Sequence, residues 1–399
     1  PAPRDLRQAL RSLLRQPGFF LVAVLTLALG IGAVTAVFSV VNGVLLTPLP
    51  YADADRIVRI NRVQPPYGGP IPRPTLGDWR EGTQGVFSAM GAFTGATVNL
   101  TGSGAAERLA AYRVTPEFWD VMALGAEVGR YFGQEEEHAG ERVAVLSHGP
   151  WQRRFGGNPE VVGRDIVLNG EPHRVIGVTP ASFRYPGATQ VYLPTHLPLS
   201  AADRGTNYLF VLARLAPGAT LEQAEAAMAQ VNAGLAEAYP AEHEGLGARI
   251  TPLHELLNSD VRQPLVILLA ASALVLLIAC ANLANLLLAR GSRRHKELAL
   301  RAAVGAGRGR LAATVLGEAV VIAAVGGLAG IALAAIAVPL LLASAPDVLP
   351  SHGQAGIDLR VLGASLALSV GTVLVFALWP ALRAARVTPG DALQEEGRS

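Results

Sequence analysis

Four long apolar stretches divide the chain. Phe19 to Leu46 and Gln263 to Ala289 contain no charged residue, Leu311 to Ala345 contains only Glu318, and Val361 to Leu382 again contains none. A helix crossing the ~30 Å hydrocarbon core of a bilayer needs about 20 mainly apolar residues, and each stretch is long enough. A buried soluble helix would account for any one of them. Four such runs would need a far larger soluble shell than the chain can supply. The pattern predicts a membrane protein with four transmembrane α-helices, at 19–46, 263–289, 311–345 and 361–382, and a short loop at 346–360 between the last two.

Between the first two apolar runs, residues 47–262 alternate in a different way and predict a large α+β domain. RIVRI (Arg56 to Ile60), ERLAAYRVT (Glu107 to Thr115), ERVAVLS (Glu141 to Ser147) and NYLFVLARL (Asn207 to Leu215) read as strands. Thr115 is placed to cap a helix that begins with Pro116, which suits the first helical position. A short helix is expected around Trp151 to Phe155. In DIVLNGEPHRVIGV (Asp165 to Val178), Asn169-Gly170 separates two apolar runs and signals a hairpin, because both central residues of a type I′ turn need positive φ. Thr220 and Gln223 have the spacing of a capping box, and Leu221, Ala224, Met228, Val231 and Leu235 stripe one face of the helix that follows. That stripe is expected to pack on a sheet. An inserted subdomain is expected at about 131–199.

Charge placement orients the spans. Arg4, Arg7, Arg11 and Arg15 precede the first span. The segment Ala289 to Leu311 holds Arg290, Arg293, Arg294, Lys296, Arg301, Arg308 and Arg310 against one acid, Glu297, and Arg383 and Arg386 follow the fourth span. The loop 346–360 is not basic. By the positive-inside rule both termini and the segment 290–310 are expected in the cytoplasm, and 47–262 outside it. The first apolar run is too long for a cleaved signal peptide, and no A-x-A site follows it cleanly. In residues 1–18, Leu6, Leu10, Leu13 and Leu14 recur at helical spacing among the arginines. They read either as an amphipathic helix on the inner leaflet or as a basic anchor that sets topology, with Pro17-Gly18 bending the chain into the span.

Composition agrees with a membrane location: 51% of the 399 residues are hydrophobic and 16% charged, and the mean hydropathy of +0.35 is high for a soluble protein. The single cysteine, Cys280, rules out a disulfide within the chain. Lys296 is the only lysine and stands between His295 and Glu297. A Gly-Lys-Ser/Thr phosphate loop is therefore impossible, and ATP hydrolysis through that motif is excluded. There is no G-x-S-x-G, no H-E-x-x-H and no histidine pair at metal-ligand spacing. QEEEH (Gln134 to His138) reads as a solvated acidic loop in preference to a cation site. No catalytic, metal or cofactor residue is assigned, and no nucleic-acid partner.

Polar residues inside the apolar runs mark packing. A carboxylate in lipid is costly, so Glu318 is expected to face protein, and an ion pair with an arginine of the cytoplasmic patch is the favoured partner. Gly326 and Gly330, four apart in GGLAG, allow another helix to approach closely. Asn282 and Asn285 are placed to hydrogen-bond across helices.

LTLALGIGAVTAVFSVVNGVLLTPLPYADADRIVRI (Leu25 to Ile60) and RRHKELALRAAVGAGRGRL after the second span resemble permeases of the MacB/FtsX-like ABC transporter family, above all the first half of a duplicated orphan permease. In the second motif Arg293 or Arg294, Glu297, Arg301, Ala303, Gly305 and Ala306 match the family pattern. EAVVIAAVGGLAGIALA and PALRAARVTPGDAL resemble its third span and C-terminal tail, 383–399 here. The resemblance implies a bacterial inner-membrane permease subunit, not an enzyme, whose ATP is bound on a separate ATPase subunit. It implies a dimer with a second permease subunit or the second half of a longer chain, contact with membrane lipid and, for efflux, a periplasmic adaptor. The ATPase would dock on Arg293, Arg294, Glu297, Leu298, Arg301 and Gly305. Glu297 and Arg301 are spaced for a helical ion pair, and Gly305, Gly307 and Gly309 would break that helix before the third span. ATP-driven motion would then reach the outer domain for efflux or substrate extraction. Regulation of a cell-wall hydrolase, and a membrane-anchored sensor that meets no ATPase, are the rival readings.

Overall fold

The computed structural model describes residues 10–64, 67–102, 105–196, 204–243, 245–293, 308–344, 361–365, 367, 368 and 371. The chain divides into a helical unit (1–47, 260–349 and 353–399) and an α/β unit (48–259 and 350–352).

In the helical unit, α1 (Pro17–Val41) starts with proline in its first turn, where a missing N–H costs nothing. Its end tightens into a π-helical turn, Asn42–Leu46. The helices later in the chain, α8 (Leu253–Arg293) and α9 (Arg308–Ser344), are each interrupted by one proline, Pro264 and Pro339, without ending. Three helices, Pro17–Leu46, Leu253–Leu286 and Gly317–Leu341, are long and apolar enough to cross a membrane. They correspond to the first three expected spans. Of the fourth, residues 361–365, 367, 368 and 371 are helical, and the remainder of 361–382 lies outside the described residues.

The α/β unit is built on strands β1 (Ile57–Gln64), β2 (Tyr67–Gly69), β3 (Phe87–Thr101), β4 (Glu107–Val114), β5 (Val128–Gly129), β6 (Val143–Leu146), β7 (Asp165–Leu168), β8 (Glu171–Val178), β9 (Val191–Pro194), β10 (Phe210–Leu215) and β11 (Gly247–Pro252). Its helices are α2 (Arg73–Gly82), α3 (Glu117–Met122), α4 (Gln134–Ala139), α5 (His148–Phe155), α6 (Leu221–Ala238) and α7 (Pro240–His243). The strands form one sheet in the order β11-β1-β10-β3-β4-β9-β6-β8-β5. Pairing is antiparallel except at β4–β9 and β6–β8. Because β7 pairs with both β3 and β8, the strands β3, β4, β9, β6, β8 and β7 close into a ring.

Alternation along the strands sorts side chains to two faces, as a period of two requires. Val58, Ala92, Val211 and Ala213 meet Leu76 and Trp79 of α2 and Ala224, Met228 and Leu235 of α6. Ile57, Phe93 and Leu212 meet an aromatic cluster of Phe118, Trp119, Phe183 and Tyr192, with Leu253 completing it. A third cluster, with Leu100, Leu109, Leu146, Trp151, Ile166, Val175 and Val191, fills the ring. The apolar residues of segment 131–199 divide between this cluster, which includes residues of β3 and β4, and the aromatic cluster, which holds Val143, Val145, Phe183 and Tyr192.

Most local expectations reappear as elements. Asn169 and Gly170 have φ of 51° and 85° and join β7 to β8 with Leu168 opposite Glu171. Asn169 Oδ1 also accepts from Asn99 N at 2.8 Å, which ties the turn to β3. Thr220 and Gln223 form the reciprocal capping box at 3.0 and 3.2 Å, and Ala224, Met228 and Leu235 are buried on the sheet side. Two readings need correction. Thr115 does not cap α3; its hydroxyl accepts from Ala92 N at 3.0 Å, because its position directly after β4 commits it to the sheet. The run Gln134 to His138 is a short helix rather than a loop. The elements not anticipated include α2, β3, β9 and β11. The glycines and alanines of β3 mute its strand signal, but Gly91 is needed: a Cβ there would lie 2.5 Å from Phe118 N and Cα of α3.

Thr220→Ala removes one half of the capping box and should destabilise α6 by about 1 kcal/mol. The outcome expected in a thermal melt of the purified chain is a drop of about 2–4 °C, while Thr220→Ser should melt close to wild type.

Candidate functional site

The residues with the most constrained surroundings in the helical unit lie where α1 meets its neighbours. More than half of the α1 window, 56%, is buried, against 28% for α8 and 39% for α9. On one side Gly30 faces α8; a Cβ there would lie 3.0 Å from Leu276 Cδ1 and 3.2 Å from Ala279 Cβ. On the other side α1 and α9 approach backbone to backbone. A Cβ on Gly330 would come within 3.0 Å of Ala28 O and 3.1 Å of Gly32 N, and one on Gly326 within 2.9 Å of Leu27 Cβ. Gly326 and Gly330 therefore do make the close approach expected of them, and their partner face is Leu27, Ala28, Ile31 and Gly32. Leu13, Leu27 and Ile31 pack with Leu276, Cys280, Leu283 and Ile322 in one apolar cluster.

Two polar contacts sit in this packing. Glu318 is 5% exposed and accepts a 2.7 Å hydrogen bond from Ser12 Oγ. Of the arginines of the patch expected to pair with it, Arg294 and Arg301 lie outside the described residues. Thr35 and Ser365 join their hydroxyls at 2.9 Å, and Ser365 also donates to Val361 O at 2.7 Å. Thr35, Ser39 and Asn42, at helical spacing on α1, are all buried, which suits a membrane segment where polar groups must be covered by protein. Asn282 and Asn285 are exposed on α8, and the face of α8 turned to α1 carries Leu276, Ala279, Cys280 and Leu283. Before α1, Leu13 is fully buried whereas Leu10 and Leu14 are exposed; Leu6 lies outside the described residues. Of the expected docking residues, Arg293 ends α8, and Arg294, Glu297, Leu298, Arg301 and Gly305 lie outside the described residues.

In the α/β unit, the acidic run is absorbed by structure. Glu136 accepts from Arg130 and from Gly133 N. Burial works to raise its carboxyl, but these hydrogen bonds outweigh it and hold the pKa below the ordinary carboxylate value. Glu137 accepts from the Thr195 hydroxyl and from His196 N. Burial also lowers His196. Arg80 grips Glu117 with two parallel bonds of 2.9 and 2.7 Å, and Gln134 donates to the same carboxylate. Among the described residues no cluster of three metal-ligating side chains occurs. A shallow groove beside these groups is walled by Trp119 and Tyr131, stacked with centroids 4.0 Å apart. Nothing in the sequence pattern pointed to that stack, since its members are brought together by α3 and the segment before α4.

The tight contact of α1 with α9 predicts a strong size limit. Gly330→Leu should overpack the interface and destabilise it by about 1–3 kcal/mol, lowering the melting temperature of the detergent-solubilised chain. Gly18→Leu, at a position with open space around it, should leave the melt unchanged.

Comparison with known proteins gives two consecutive family matches. Residues 20–231 match the family model of the MacB-like periplasmic core domain, and residues 269–389 match that of the FtsX-like permease C-terminal domain. The macrolide export ATP-binding/permease protein MacB of Neisseria gonorrhoeae is 27% identical over 293 residues, covering 71% of this chain and 43% of that protein. The pyoverdine export ATP-binding/permease protein PvdT of Pseudomonas aeruginosa is 28% identical over 293 residues, covering 70% and 41%. This chain thus spans about two fifths of the length of these relatives. Among solved structures, the periplasmic region of MacB from Actinobacillus actinomycetemcomitans aligns with a TM-score of 0.39 at 14% identity, over 56% of this chain and 95% of that one. The core-domain model takes in the first span and most of the α/β unit, and the FtsX-like model follows it through α8 and α9. The chain belongs to the MacB/FtsX-like permease family.

Proposed function

We propose that this chain is the permease component of an ABC transporter and passes ATP-driven motion from a separate ATPase subunit to its α/β unit, which performs export or substrate extraction outside the cytoplasm. The observation that carries this reading is the order of the two family matches, a periplasmic core domain at 20–231 followed by an FtsX-like permease domain at 269–389. The chain has no phosphate loop of its own, so the ATP-binding function that the MacB and PvdT relatives carry in their names must come from another polypeptide or from another part of a longer one. Apolar helices of membrane-spanning length support a membrane location, with a fourth span at 361–382 and both termini in the cytoplasm. The cytoplasmic segment 290–310 is the docking element, with Glu297 and Arg301 at its centre. A second permease subunit completes a dimer. The relatives named for macrolide and pyoverdine export point to small molecules leaving the cell as the class of cargo.

Two experiments test the reading. Reconstituted with its ATPase subunit, wild-type chain should bind it and raise ATP turnover. Glu297→Arg and Arg301→Glu should each weaken binding on the order of tenfold or more, the usual effect of reversing a buried interfacial charge. Unchanged binding and turnover in both variants would remove the docking role of this helix. For orientation, Asn169→Cys should react in intact cells with a membrane-impermeant thiol reagent, whereas the buried Cys280 should not. Labelling of Asn169→Cys only after lysis would place the α/β unit in the cytoplasm and overturn the proposal.

A further inference from the structure

In the α/β unit, a small cavity lies between β1, α2, α6, α7 and the segment that leads into β10. Its size, ≈ 10 Å³, is about the minimum at which a polar cavity holds one water. Four polar side-chain atoms of its lining are buried and have no hydrogen-bond partner: Arg62 Nε, Thr75 Oγ1, Asn207 Oδ1 and His243 Nε2. Thr75 and His243 are only 2% and 3% exposed. Buried polar atoms are almost always paired, and each orphan is costly. The convergence of four orphans on one small space therefore points to a shared partner.

The donor and acceptor inventory identifies that partner. Arg62 Nε–H can only donate, so the ligand must accept. Asn207 Oδ1 can only accept, so the ligand must also donate; the amide is oriented by its Nδ2, which donates to Gly205 O at 3.2 Å. A metal cation cannot accept from Arg62, and a halide cannot donate to Asn207. The Thr75 hydroxyl can do either. His243 is held below the ordinary histidine pKa, first by burial and then by the Arg204 charge, which favours the neutral ring, whose Nε2 either donates or accepts according to tautomer. A water offers two hydrogens and two lone pairs, and with Thr75 and His243 taking opposite roles the four orphans use two of each. Of the other polar side chains of the lining, Glu242 is exposed, and Arg204 and Asn232 are already engaged. Arg204 pairs with Asp78 at 2.6 Å and stacks on Tyr239 at 3.7 Å, while Asn232 accepts from Trp79 Nε1 and donates to Met228 O.

We propose that this cavity is a binding site for a single ordered water, which accepts from Arg62 Nε, donates to Asn207 Oδ1 and completes its four bonds with Thr75 Oγ1 and His243 Nε2. The water ties α7 and the segment before β10 to α2 and β1, where no direct side-chain bond among the four residues does so. This site is independent of the transport reading.

The test uses the full chain in detergent or nanodiscs. A density map that resolves ordered waters should show one peak within hydrogen-bond distance of all four atoms. A dry cavity, or one filled by a rotated side chain, would overturn the proposal. Thr75→Val and Asn207→Leu should each lower the melting temperature of the chain by about 2–4 °C. The double variant should fall short of the sum, because both changes break bonds to the same molecule. Additive losses would refute a shared ligand. Should either variant fail to fold, the wild-type map decides.

Discussion

The helical unit depends on one steric constraint: α1 must be approached on two sides by other helices, on one of them with no side chain in between. Hydrocarbon provides no hydrophobic driving force between helices, so close van der Waals contact has to supply the attraction. Gly32 on α1 and Gly330 on α9 satisfy this by bringing backbones into contact, and Gly30 admits Leu276 and Ala279 of α8. The polar groups of α1 follow from the same geometry. Thr35, Ser39 and Asn42 are acceptable in a membrane segment because the helices around them leave them 4% exposed or less. Glu318, the one charge in its span, is similarly enclosed and hydrogen-bonded to Ser12.

In the α/β unit the comparable element is β3. Its 15 residues serve two cores in succession. Near its start Met90, Ala92 and Phe93 divide between the two faces of the sheet. Toward its end Val98 and Leu100 enter the ring of six strands, where β7 pairs with Leu100 and Thr101. No break in β3 separates the two regions. That makes the ring and the four-strand region with β10, β1 and β11 one continuous sheet rather than two domains joined by a linker.

The family assignment and the chemistry of the chain meet at the same point. The single lysine, Lys296, stands outside any Gly-Lys-Ser/Thr phosphate loop, while the two family matches put the chain among proteins related to export ATP-binding/permeases. Residues that pack helices leave fainter traces in sequence than turn and cap residues do, because any small or apolar side chain can serve in packing.

That difference explains what could be read early and what could not. Length and lack of charge determined the apolar helices, since burial of a charge in lipid is prohibitive over a run of that size. Turn and cap chemistry determined the Asn169-Gly170 hairpin and the start of α6, because both depend on backbone conformations that only a few residue types favour. The sequence by itself also determined that two glycines four apart would admit a helix, but not which helix; that Leu27, Ala28, Ile31 and Gly32 receive them was decided by tertiary packing. The same holds for Asn282 and Asn285, whose type suggested a cross-helix contact and whose rotation about α8 turns them outward. The stack of Trp119 on Tyr131, the closure of β7 onto β3 and the convergence of Arg62, Thr75, Asn207 and His243 were likewise decided only in three dimensions. Each joins residues far apart in the chain, and local propensity carries no information about a partner that is absent from the local sequence.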